Sequence, residues 1–285
     1  MNKHNGPRYL MESDEEFFRL ELKTDINAVN DQARWAGIEP GMRVLDVGCG
    51  IGKTTLALCD LVQPGGSAVG IDFLEQRIKC AEEARGEKNV EFICRDFTQP
   101  LDDLELFDFV WIRFVLEYFR NEAFELVRKI SRILKPGGTL CLIDLDYNCM
   151  SHFEMPERLE KTLMELIATL EEKATFDPYM GRKLYSYLYK LGFADIRVRV
   201  GAHHLIYGDL GNVDAYNWLK KLEVASKRIG FDFHRYSSGY EGCVEEFTAF
   251  FNNPGRFTYT PLISACGHRR RDEPQFLFCK KMPPC

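Results

Sequence analysis

Read for the spacing of apolar and polar positions, the chain alternates between short apolar runs and longer amphipathic stretches. Runs at 43–47, 68–71, 90–94, 106–114 and 139–145 have the length and composition of strands buried on both faces. Between them, helical periodicity predicts helices over 54–62, 74–84 and 121–134. The first is closed by Pro64-Gly65-Gly66 and the last by Pro136-Gly137-Gly138. Strands alternating with helices in this way predict an α/β fold with a parallel sheet and right-handed crossovers. Ligands of such sheets sit beyond the carboxyl ends of the strands.

The flanks follow other patterns. Ser13-Asp14-Glu15-Glu16 has the form of a capping box, which predicts a helix from there to Ala36, ended by Gly37. Beyond residue 146, helices are expected over 155–172, 179–191, 213–228 and 239–251. The alternating Ile196-Arg197-Val198-Arg199-Val200 reads as an edge strand, and a last strand covers 257–266. Three regions result: a helical lid at 1–37, a ligand-binding core at 38–146, and helical insertions with the final strands at 147–285.

The stretch Arg43 to Thr55 carries the first chemistry. A buried strand runs into Gly48, Gly50 and Gly52, and a helix begins near Lys53. Glycines between strand and helix let the backbone bend tightly and a ligand approach it, and the helix N–H groups favour a negative group there. A phosphate-binding loop needs Gly, four residues, then Gly-Lys-Ser/Thr; Gly52-Lys53-Thr54 supplies the end, but Val47 stands where the first glycine belongs. A dinucleotide fingerprint would place Lys53 at its third small position, where it is too large. The pattern that fits is Asp-x-Gly-x-Gly-x-Gly, from Asp46 to Gly52. Asp72, at the end of the second strand and twenty positions after Gly52, has the spacing of a ribose-binding carboxylate.

Composition narrows the partners. A net charge of −6 with a pI near 5.6 argues against broad contact with nucleic acid or anionic lipid. The basic cluster His268-Arg269-Arg270-Arg271 reads as a solvated turn. No uncharged apolar run is long enough to cross a bilayer, and the N-terminus lacks an apolar signal core. Ten cysteines without a C-x-x-C pair indicate a reduced, cytoplasmic protein with no metal site.

Asp46-x-Gly48-x-Gly50-x-Gly52, together with Arg132-Ile133-Leu134-Lys135-Pro136-Gly137-Gly138, resembles the class I S-adenosylmethionine-dependent methyltransferases. The broad ubiquinone/menaquinone-biosynthesis-like group of small-molecule enzymes is the nearest in character. The resemblance covers roughly residues 40–146. It implies a Rossmann-like, seven-stranded, mostly parallel sheet with helices on both faces and helical insertions building a substrate chamber. It further implies S-adenosylmethionine as cofactor, S-adenosylhomocysteine as product, and a small-molecule acceptor methylated at O, N or C by a monomer or homodimer. The residues it places at the cofactor are Tyr9 and Arg19 from the lid; Asp46, Gly48, Cys49, Gly50 and Gly52; Asp72 at the ribose, followed by Phe73; Asp96 and Phe97 at the adenine, preceded by Arg95; and Arg113 with Phe114.

Methyl transfer from a sulfonium is an in-line displacement that depends mainly on alignment, so no catalytic dyad is required. Candidates near the acceptor are Tyr118, Asp146, Tyr147 and His204; His203 and His204, adjacent in a strand, are expected to face opposite ways. Asn/Asp-Pro-Pro-Tyr/Phe, the tract of nucleobase amine methyltransferases, is replaced by Ile112-Arg113-Phe114-Val115. Of the paired glutamates of protein-arginine enzymes only Glu117 is present. The Asn-x-x-x-Ser tract of the quinone enzymes is not found. An RNA or protein methyltransferase, a nicotinamide-dependent oxidoreductase and a non-catalytic cofactor-binding module stand as alternatives.

Overall fold

The five apolar runs form the middle of one sheet in the computed structural model, which describes residues 24–271. They are β1 (Arg43–Val47), β2 (Ser67–Asp72), β3 (Val90–Cys94), β4 (Phe107–Arg113) and β5 (Leu134–Leu145), parallel and ordered β3-β2-β1-β4-β5. The helices are α1 (Ile26–Ala36), α2 (Lys53–Leu61), α3 (Glu75–Ala84), α4 (Ala123–Ile130), α5 (Glu157–Lys173), α6 (Leu184–Lys190), α7 (Asn212–Ile229) and α8 (Tyr240–Asn252). Three further strands, β6 (His152–Phe153), β7 (Ala194–Tyr207) and β8 (Phe257–His268), bring the sheet to eight. The sequence predicts seven; the extra strand is the two-residue β6.

Alternation along β4 shows why the sheet needs helices on both sides. Val110 and Ile112 face one cluster with Leu126, Val127 and Ile130 of α4 and Leu184 and Leu188 of α6. Phe109 and Trp111 face the other, with Val29 and Ala33 of α1 and Leu58 of α2. All these side chains are buried and each contributes roughly 1.5–3 kcal/mol relative to exposure.

Some boundaries depart from the sequence reading. The expected N-terminal helix does not run through to Ala36 from Ser13: α1 begins at Ile26, where Asp25 accepts hydrogen bonds from the N–H groups of Asn27 (2.9 Å) and Ala28 (3.4 Å). A carboxylate at that position satisfies orphan donors and starts a helix of its own. Ser13 and its capping box, with Tyr9 and Arg19, lie outside the described residues. The third helix of the core, α4, stops at Ile130, four residues early, and passes through a 3₁₀ turn into β5. Lys135-Pro136-Gly137-Gly138 lies within that strand, beside a register shift on β4 between Phe107 and Phe109.

Antiparallel β8 lies between β5 and β7. Leu145 pairs with Leu262, so the segment of β8 before Leu262 and its partners on β7 extend past the carboxyl end of β5. Tyr207 and Phe257, at the far end of this hairpin, are themselves paired. The chain between them folds into α7 and α8, which pack with α5 around Leu166, Leu170, Trp218, Leu222 and Phe247. Hairpin and insert thus stand over the edge where β1, β2 and β4 end.

One contact tests how tightly β2 and β3 are packed. A Cβ on Gly70 would lie 2.7 Å from Phe92 Cδ1 and 3.0 Å from Cys49 Cβ. Gly70→Ala is expected to lose about 1–3 kcal/mol in urea unfolding. Combined with Phe92→Leu it should cost less than the sum of the two single changes, and strict additivity would refute the clash.

Candidate functional site

The bend after β1 is fixed by hydrogen bonds to the end of β2. Gly48 and Cys49 both donate their N–H to Ile71 O, at 2.8 and 3.0 Å, and Gly50 N–H donates to Asp72 Oδ2 at 3.0 Å. Gly48 has φ +74, and a Cβ there would meet Val115 Cγ2 at 2.5 Å. Gly52 has φ +81, with Phe92 Cζ at 2.6 Å and Ala81 Cβ at 2.8 Å from the same imagined atom. The first glycine lets Val115 pack directly against the loop, while the last lets α2 lie against β3 and α3. Gly48, Cys49, Gly50, Ile51, Lys53 and Thr54 all line a cavity of about 200 Å³ above the sheet edge.

Beneath the loop, Asp46 is buried and accepts a 2.6 Å hydrogen bond from Thr55 Oγ1. Burial pushes its carboxyl up to about 7, against Thr55 and the charge of Arg113, which both pull it down. Arg113, at the end of β4, reaches the same cavity with its guanidinium 4.1 Å from the centre of the Phe114 ring. Burial lowers it to about 10, opposed by Asp46, Asp144 and Asp25, so it stays cationic. Burial also raises the Cys49 thiol well above its usual value, keeping it protonated.

The cavity continues from this polar floor into an apolar chamber. Leu163, Leu166, Ile167 and Leu170 of α5, Phe176, and Trp218, Leu222 and Ala225 of α7 form its walls, with Phe247 of α8. Two acidic or basic side chains enter it: Glu117, after β4, and Lys221, on α7. Glu117 is 3% exposed and accepts from Asn148 Nδ2 at 2.9 Å. Its N–H donates to Asp144 Oδ2 at 3.1 Å. Burial, and then the charge of Glu117, raise Asp144 well above the carboxylate range. Among the described residues no His/Cys/Asp/Glu group has the arrangement of a metal site.

Sequence reasoning and geometry diverge at several positions. Asp46, Gly48, Cys49, Gly50, Arg113, Phe114 and Tyr118 converge on or directly under the cavity. Asp72 is 2% exposed and does not line it; both oxygens accept from backbone, Gly50 N and Leu74 N, and Arg77 NH1 stands 3.7 Å from Oδ2. Phe73 and Phe97 pack edge to face at 6.0 Å, and Phe97 is buried in the core. Arg95 turns outward to Asp103 and Pro100 O. Asp96 closes its own turn by accepting from the N–H and hydroxyl of Thr98. Gly52, as above, serves packing.

The acceptor-side candidates need more correction. Asp146 is taken up by a two-pronged pair with Arg182 at 2.8 and 2.9 Å. Tyr147, at φ +52, packs against Tyr179 instead of facing the cavity. His203 and His204 do not oppose each other: a bulge between His203 and Ile206, with His204 at φ +51, leaves the rings 4.0 Å apart. His203 lines the cavity, whereas His204 meets Thr260 and Trp218. The sequence reading gave no role to Asn148, Lys221 or Arg77. Only Lys221 left a trace, as a cation on the face of α7 that also carries Trp218, Leu222 and Ala225.

The shifted Asp46 makes a stability prediction. Its folded value of about 7 exceeds the ordinary 3.8, so between these values the folded state holds a proton that the unfolded chain releases. Stability from this group is therefore fully present below pH 4, falls as pH rises to 7, and levels off above, by about 4 kcal/mol at most. Urea titrations across this range are expected to show a shallower decline for Asp46→Asn than for wild type; parallel profiles would contradict the shift.

Comparison with known proteins agrees with this architecture. Residues 38–192 match a family described as a methyltransferase domain. A demethylmenaquinone methyltransferase of Staphylococcus aureus is 31% identical over 196 residues, covering 62% of this chain and 80% of its own. The YcgJ protein of Bacillus subtilis superposes with a TM-score of 0.58 at 18% identity, over 86% of this chain and 99% of its own. A Haemonchus contortus phosphoethanolamine N-methyltransferase 2, solved with S-adenosyl-L-methionine, gives 0.56 at 17% identity, over 90% of this chain and 57% of its own. At such identities the structural likeness is one of fold. The family match spans more than half of the chain, which belongs to the methyltransferase-domain family and is an S-adenosylmethionine-dependent methyltransferase.

Proposed function

We propose that the chain methylates a hydrophobic small molecule held in the chamber under α5, α7 and α8, with S-adenosylmethionine bound along the glycine loop. The observation that carries this is the continuity of one cavity, from a glycine-lined floor at the start of α2 to apolar helical walls. When bound, the cofactor supplies a methyl group already activated by a sulfonium charge. The loop is suited to it: Gly48, Cys49, Gly50 and Ile51 line the cavity, and the start of α2 has no side-chain cap. We assign the cofactor's carboxylate to Arg113 and the first turn of α2, where a cation and N–H groups meet. Asp72 retains lone pairs beyond its two backbone bonds, and we assign these to the ribose hydroxyls; Arg77 is the group that must turn aside. No adenine role is assigned to Arg95, Asp96 or Phe97.

On the acceptor side the chain contributes position, dryness and one base. The aliphatic and aromatic walls exclude water and hold an apolar body. Glu117 is the carboxylate lining that space, and the hydrogen bond from Asn148 fixes its orientation. We assign to Glu117 the removal of the acceptor's proton, with Tyr118 beside it in the lining. The Staphylococcus aureus relative is named for demethylmenaquinone, an apolar acceptor of the kind these walls suit.

Two measurements test the reading. Titration calorimetry with S-adenosylmethionine should show binding to wild type and at least a tenfold loss in Gly48→Val, while Gly201→Ala, where a Cβ meets nothing within 4 Å, stays unchanged. Absence of binding to wild type removes the cofactor site. S-adenosylhomocysteine release over a panel of apolar hydroxyl, amine and quinol acceptors should identify turnover. With the acceptor found, Glu117→Gln should reduce kcat by about 10²–10⁴-fold with little change in cofactor affinity; a kcat within twofold of wild type removes Glu117 as base.

A further inference from the structure

α7 carries Lys220, Lys221 and Lys227, and they meet different surroundings. Lys220 and Lys227 both pair with Glu223, at 3.0 and 2.5 Å. Lys221 lines the chamber, and among the described residues no carboxylate lies within ion-pair distance of it. Its ammonium sits 5.0 Å from the centre of the Trp218 ring and donates to Cys149 Sγ at 3.6 Å, a weak thiol acceptor. The surrounding walls are Leu163, Leu166, Leu222, Ala225 and Phe247. An ammonium facing apolar walls, with a ring face and a thiol for company, keeps most of its donor capacity unused.

Nearby charge strengthens the case. His152, behind Trp218 at 5.4 Å, is held neutral: burial, with a further push from Lys221, lowers it to about 4. Its ring is tied to Cys149 O and Thr258 Oγ1, so it offers Lys221 no countercharge. The cations Lys53, Arg77 and Arg113 line the other end of the cavity, against one lining carboxylate, Glu117. S-adenosylmethionine is a net cation and accounts for a single negative group, its carboxylate. That carboxylate belongs at the Arg113 end, and the acceptor is the molecule that reaches Lys221.

Resting on the reading above, we propose that the acceptor is an apolar molecule bearing a carboxylate, and that Lys221 is the residue that selects it. The carboxylate pairs with the Lys221 ammonium against Trp218, the apolar body fills the space between α5 and α8, and the reacting atom lies towards Glu117. The carboxylate is an anchor and is not consumed. A neutral analogue of equal shape leaves the ammonium unpaired and binds less well.

The probes are octanoate and its neutral isostere octanamide, titrated calorimetrically into the whole protein with S-adenosylhomocysteine saturating the cofactor side, so that Arg113 is not the site measured. Wild type is expected to bind octanoate about 10- to 100-fold more tightly than octanamide, the range of a charge-assisted hydrogen bond. Lys221→Met should abolish that preference by weakening octanoate alone, and Lys221→Arg should largely keep it. Equal affinities in wild type, no octanoate binding, or a preference that survives in Lys221→Met each overturns the proposal. The separate titration of S-adenosylhomocysteine keeps this distinct from failure of the cofactor site: a protein that binds the nucleoside but does not discriminate the two probes refutes only the role of Lys221.

Discussion

Everything on the working edge of this sheet depends on three backbone N–H groups. Gly48, Cys49 and Gly50 donate in succession to Ile71 O and to Asp72, binding the bend after one strand to the end of its neighbour. Buried backbone donors are costly to leave unmet, so the loop has one arrangement consistent with the sheet. From that follow the packing of Val115 against Gly48, the direction in which α2 leaves, and the burial of Asp46 beneath it. Asp72 then acts first as a structural acceptor. Its lone pairs are partly committed before any ligand arrives, and Arg77 stands at its remaining side.

The electrostatics of the floor follow from burial more than from pairing. Asp46, Arg113 and Asp144 are each pushed towards neutrality by loss of water. Asp144 and Glu117 are neighbouring acids, and the charge of the second adds to burial in raising the first. The hydrogen bond from Asn148 fixes the second in place.

Much of the core was legible because its physics is local. A buried strand, positive-φ glycines and a helix start leave their mark within a few residues, which is why Asp46 to Gly52 and the alternation of the five core strands with helices could be read in advance. The side of the pocket facing the acceptor was not legible. Asp146 follows β5 as an inward residue would, yet Arg182, from another element, turns it to the outside. His203 and His204 defied the two-residue alternation because a bulge reset it. Glu117, Asn148 and Lys221 come together from three separate segments, and no spacing in the chain announces that. The adenine positions are no easier to read: an acid after a strand can cap its own turn, as Asp96 does, as readily as it can bind a base.

The pairing of Tyr207 with Phe257 has a consequence for descent. Everything between these neighbours leaves the sheet and returns to it at one rung of the ladder. Lengthening, shortening or replacing that excursion need not disturb the register of any strand or the bend after β1. Lineages built on this plan can therefore exchange the roof of the reaction vessel, and with it their choice of molecule, while inheriting the donor machinery intact.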